Sequence, residues 1–206
     1  EGVAITLVFV DSTKGWIVTD TGNSSNAFGE NFINATGGTI TECGNCRIHT
    51  FTGPGTLAVS SIASAGANNV VSYLVVGGGG SGGGGSGLGG GGGAGGFREV
   101  VSPTAPYSGS PLDGYPSAPN RITLTAASFP IVVGGGGPAV SSQTRGNSGT
   151  NSSFSTIIGA GGGGGGGSNS APLLAGIAGG SGGGGGENSG CLGAPGAGNT
   201  PPVSPS

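Results

Sequence analysis

The chain has 206 residues, 54 of them glycine, and carries a net charge of −3. Its 6% of charged residues stands against a usual share of about 25%. The five scattered Lys and Arg residues leave no basic patch for phosphates, and no run of about 20 apolar residues spans a membrane.

The first element is Val3 to Val10, rich in β-branched and aromatic residues, which reads as a strand. Asp11-Ser12-Thr13-Lys14-Gly15 supplies turn chemistry, and Trp16 to Thr19 returns as a second strand. A hairpin this small is marginal alone and requires a partner. Residues 20–37 are polar and read as a connector. Short strands are then expected at Gly38–Thr41, Arg47–Phe51 and Thr56–Ser60, and a longer, more central one at Val70–Val76.

Positions 77–96 hold 16 glycines in 20 residues, too many for a single turn or phosphate loop. Further tracts lie at Gly134–Gly137, Gly161–Gly167 and Gly179–Gly186, the last with Ser181 inside. Apolar segments precede them: Tyr73–Val76, Phe129–Val133, Phe154–Ile158 and Leu173–Ile177. A solvated Gly/Ser linker has no use for such segments. Disorder also usually comes with low hydrophobicity and high charge, whereas mean hydropathy here is +0.13. Ordered tracts of this kind suit polyproline-II geometry, with three residues per turn and outward N–H and C=O groups that neighbouring runs satisfy. Strict Gly-X-Y periodicity is absent, which excludes collagen. No segment shows the 3.6-residue period of a helix. The expected fold is therefore all-β and irregular: a hairpin, a small sandwich-like sheet and packed polyglycine-II segments. Its divisions are 1–19 hairpin, 20–37 connector and 38–206 glycine-rich domain, with strands over 38–76 and glycine tracts with loops over 77–206. Glu1, directly before a strand pattern, and the Pro/Ser-rich end make the chain read as an excerpt at both ends.

The inventory offers no catalytic centre. One His, scattered carboxylates and no nucleophile motif assemble no triad. The glycine runs lack the Gly-Lys-Ser/Thr of a phosphate loop. No cofactor or metal is expected. Cys43-Gly44-Asn45-Cys46 reads as a tight turn with two small residues, a disulfide between Cys43 and Cys46 being possible; Cys191 stands apart. Recognition falls to loop aromatics and amides. Tyr107 and Tyr115 sit on a Pro-rich loop of about twenty residues, a length that is often functional. Asp113, Asn120, Asn147 and Asn169 complete the candidate set.

Two stretches carry a resemblance. Ile5 through Trp16 resembles the closing hairpin of a β-rich module repeated in tail-fibre proteins of bacteriophages, marine phages especially. Gly38-Thr39-Ile40, Ile48 through Thr56, Tyr73 through Gly77, Gly95 through Arg98 and the tail Gly198 through Pro205 resemble the glycine-rich domain at the ends of such proteins. The T-even-type adhesins look similar in principle, packing polyglycine-II helices with receptor-binding loops between them. The resemblance implies an extracellular, non-enzymatic virion appendage, its first hairpin ending a fibre shaft. Its implied partners are other fibre subunits in a homotrimer and a host-surface protein or glycan, with no nucleic acid and no membrane insertion. The alternatives are a passive spacer, a microbial surface filament or, least favoured, a polysaccharide depolymerase.

Overall fold

The computed structural model describes residues 5–11, 15–21, 32–43, 46–85, 88–169 and 172–200. Strands β1 (Ile5–Asp11) and β2 (Gly15–Thr21) pair antiparallel and hydrogen-bond with no other described strand. Strands β3 (Asn34–Thr36), β4 (Thr39–Cys43), β5 (Cys46–Thr50) and β6 (Gly55–Ser61) follow. Then come β7 (Tyr73–Val76), β8 (Phe97–Val100), β9 (Ser128–Val132), β10 (Ser152–Phe154) and β11 (Ile157–Gly159), and a last small hairpin of β12 (Glu187–Asn188) and β13 (Cys191–Leu192). One sheet has five strands in the order β11-β10-β9-β6-β3, and β4–β5 and β7–β8 form separate hairpins. Two 3₁₀ turns, Gly66–Asn69 and Ala118–Asn120, are the only helical elements among the described residues.

Several expectations change. The connector contains β3, whose Ala35 is buried in the core. The five-stranded sheet joins β3 and β6 to strands beyond residue 76, so it crosses the expected division there. Val70–Val76 is not one strand. Asn69 is clamped through its side chain to the Ala63 N–H and carbonyl (2.8 and 2.9 Å), and Val70 bridges Thr123. Only Tyr73–Val76 continues as β7. Phe154–Ile158 is likewise a tight hairpin, turned at Ser155 with φ 53°. Pairing of β10 with β9 ends at Ile131, next to Pro130, which has no N–H to give. The core gathers Leu57, Val59, Val75, Ile122, Leu124, Phe154 and the fully buried Ile157. Tyr73 and Phe129 each meet Phe154 edge-on, at 6.0 and 6.3 Å between ring centroids. At the β4–β5 end, Cys43 and Cys46 are register partners with free thiols.

Beyond the strands the chain forms extended runs, bonded to one another at every third residue: run 1 (77–85), run 2 (88–96), run 3 (134–139), run 4 (144–150), run 5 (160–168), run 6 (174–179), run 7 (180–186) and run 8 (193–199). The N–H groups of Gly77, Gly80 and Gly83 donate to run 2, and those of Gly78, Ser81 and Gly84 donate to run 4, all at 2.8–3.0 Å. The carbonyls of Gly78, Ser81 and Gly84 accept from run 5. This period of three is the signature of polyproline-II geometry. Run 5 is buried throughout and bonds to runs 1, 2, 4, 6 and 7. Adjacency sets the runs in three rows: 8-7-2, 6-5-1 and 4-3. Leu173–Ile177, expected as an apolar lead-in, mostly lies within run 6.

Glycine is required here for lack of a side chain. Only Gly37, Gly38, Gly85 and Gly190 among the described glycines have positive φ. By contrast, a Cβ on Gly162 would stand 2.1 Å from the Gly93 carbonyl oxygen, and one on Gly165 would stand 2.0 Å from that of Gly90. Neighbouring backbones occupy the space a side chain would need, as at the axis of collagen.

Candidate functional site

Five prolines between 103 and 119 keep the chain after β8 out of regular structure, and successive turns fold it back. Turn bonds run from the N–H groups of Ala105, Asp113, Ser117 and Asn120 to the carbonyls of Ser102, Ser110, Gly114 and Ser117. The loop is fixed to β8 by two carboxylates. Asp113 Oδ1 accepts from the backbone N–H of Val101 and of Tyr115, both at 3.0 Å. Glu99 Oε2 accepts from the Ser110 N–H (3.1 Å) and from its hydroxyl, and the Gly114 N–H donates to the Glu99 carbonyl (2.9 Å).

Asn120 is the hub. It is 6% exposed. Its Nδ2 donates to the Gly114 carbonyl (3.1 Å) and its Oδ1 accepts from Arg98 Nη2 (3.0 Å). Its carbonyl accepts from the Tyr73 hydroxyl at 2.7 Å. Burial pushes the Tyr73 phenol above its ordinary value of 10.0; Arg98 opposes that shift and Asp113 adds to it.

Between β8 and this loop lies an open groove of about 390 Å³. Phe97, Leu112 and Pro116 give it apolar walls, and Arg98, Glu99 and Asp113 supply charge. Leu112 is 71% exposed although the loop beneath it is tied down. The groove thus pairs apolar surface with fixed polar groups, which suits binding a surface ligand.

The structure separates the sequence-derived candidates. Asp113 and Asn120 line the groove, where their hydrogen bonds hold the loop in place. Tyr107 projects into solvent. Tyr115 lies under the Arg121 guanidinium, 4.4 Å from its ring centre, and Arg121 Nε donates to the Tyr115 carbonyl (2.8 Å). Asn147 belongs to run 4, where its Nδ2 donates to the Pro138 carbonyl (2.8 Å) and joins runs 4 and 3. Asn169 follows run 5 and accepts from Asn188 Nδ2 at its carbonyl. Sequence reasoning missed Tyr73, Phe97, Arg98, Glu99 and Leu112 as site residues. A usable signal was Phe97-Arg98-Glu99, an aromatic-charged strand leaving a glycine run directly before the Pro-rich loop.

A family model described as a glycine-rich domain matches residues 52–202. No curated protein and no solved structure matches the chain.

Proposed function

We infer that this chain, which belongs to the glycine-rich domain family, builds the far end of a phage tail fibre and contacts the host surface there. The runs of glycine form the stiff support, and the 97–121 segment carries recognition. The observation that bears most weight is the groove lined by Phe97, Arg98, Leu112 and Asp113, held outside the glycine runs on a hydrogen-bonded loop. Aromatic and aliphatic walls beside charged groups fit the face and hydroxyls of a glycan, or a protein loop. Tyr107, exposed on the same loop, widens the contact. The resemblance of the first hairpin to a shaft module, and its lack of hydrogen bonds to any other described strand, support fibre subunits assembling as a homotrimer outside the cell.

The test is adsorption. Phages carrying Phe97→Ala with Leu112→Ser should assemble normally and adsorb at least tenfold more slowly to host cells, and Tyr107→Ala should give a smaller loss. Normal adsorption by the double variant would leave the chain as a passive spacer. The purified chain should release no reducing sugar from host polysaccharide; release would favour a depolymerase.

A further inference from the structure

We propose that the face made by runs 2, 1 and 3 is an interface on which a second copy of this chain docks, backbone against backbone. Runs 2, 1 and 3 lie in line across one side of the bundle. Run 1, in the middle, is hydrogen-bonded to runs 2, 4, 5 and 3, and its remaining side is open. Among the described residues, the N–H groups of Gly79 and Gly82 donate to nothing, and the carbonyls of Gly80 and Gly83 accept nothing. These donors and acceptors repeat every three residues, the spacing that joins every other pair of runs. They form the counterpart of an unpaired sheet edge, which templates addition of a like strand.

The side chains on this face point to the same occupant. In run 4, glycine is kept where it faces a neighbour, at Gly146 and Gly149, and other residues stand elsewhere. Run 1 keeps glycine at Gly79 and Gly82 even where the chain itself makes no such demand, and runs 2 and 3 do so at Gly91 and Gly135, between Leu88 and Ala94 and before Pro138. A Cβ on Gly91 or Gly135 would meet nothing within 4 Å, and one on Gly79 would meet only an oxygen at 3.7 Å. Glycine is the costlier residue to order, so these positions fit close approach by a backbone outside the chain. At the foot of the same face, Val76 and Phe97 are register partners, and Val132 stands at the start of run 3. All three are exposed. The face has no charged side chain. An uncharged surface bearing its own donors and acceptors is self-complementary, so it can meet a like surface on another copy.

The inference stands apart from host recognition, because it uses none of the groove residues except Phe97, which the test leaves intact. Sedimentation velocity of the full chain over a concentration series should show reversible self-association. Gly82→Ala with Gly135→Ala should keep the melting temperature, since neither Cβ enters occupied space within one chain, and should weaken association at least tenfold. Val76→Asp, at an exposed position, should do the same by placing like charges face to face, and it decides the matter if the alanine variant fails to fold. Ser148→Ala, on run 4, should associate as the native chain does. A native chain that stays monomeric up to millimolar concentration, or association unchanged in the folded face variants, would overturn the proposal.

Discussion

A glycine in run 5 and a glycine on an outer face obey different physics. Ordering any backbone residue costs about 1–2 kcal/mol, and glycine loses the most freedom. From Gly161 to Gly167 in run 5 no other residue fits. A Cβ on Gly164 would sit 2.0 Å from the Gly146 carbonyl oxygen, and that oxygen belongs to a run already bonded on other sides. Overpacking of this kind typically costs about 1–3 kcal/mol. Gly164→Ala should therefore lower the melting temperature by roughly 3–10 °C, measured by circular dichroism. Tyr73 gives a second test at this scale. Its raised pKa means that the fold favours the protonated phenol, which donates to the Asn120 carbonyl. That stabilisation is complete below pH 10 and is lost as pH rises through the higher folded-state value. Absorbance titration should show one phenol ionising above the ordinary range, and Tyr73→Phe should remove that step while costing about 1 kcal/mol of stability.

The loop of 101–121 illustrates how an irregular element is made rigid. Most of its fixing bonds stay within the loop or tie it to the neighbouring β8; the longest reach β7 and β8 through Asn120, and Ser72 through the Ser102 N–H. Removing this buried side chain takes one hydrogen bond from the Gly114 carbonyl and one from Arg98, at a cost of roughly 1–3 kcal/mol. Asn120→Ala should raise amide exchange across the loop while leaving run 5 protected. The sequence made this loop conspicuous through its prolines and tyrosines. It did not disclose the groove, because Tyr73 reaches the loop across 47 positions and only the pairing of β7 with β8 brings them together. The same contrast holds for the glycine runs. Runs 1, 2, 3, 5 and 7 stand out as tracts. Runs 4, 6 and 8 do not, because a run with neighbours on one side needs glycine only at every third place: Gly146 and Gly149, Gly176 and Gly179, Gly193 and Gly196. Strand β3 has three residues and no distinguishing pattern, and it forms because β6 offers an edge.

At the scale of the molecule, two kinds of core are joined end to end. An apolar cluster holds the sheet, and interchained backbone hydrogen bonds hold the runs. The strands and their apolar cluster supply the hydrophobic stabilisation that polyglycine lacks, since β7 leads into run 1, run 2 into β8, and β11 into run 5. Each bond in the runs contributes only about 0.5–1.5 kcal/mol net, so their stability rests on being formed together. Amide exchange should accordingly find the N–H groups of Gly163, Gly165 and Gly166 strongly protected; exchange there at free-peptide rates would be incompatible with a packed glycine core.

The position of run 5 has a consequence for synthesis. Proteins emerge N-terminus first, and the run that occupies the centre is encoded at 160–168, after the first four runs have left the ribosome. Until it arrives, Gly90, Gly93 and Gly96 have no acceptors for their N–H groups, because those acceptors are Gly166, Gly163 and Ala160. Runs 1 to 4 therefore cannot complete their hydrogen bonding before their central filament has been made. A chain cut short before residue 160 would lack the acceptors of all three of those N–H groups.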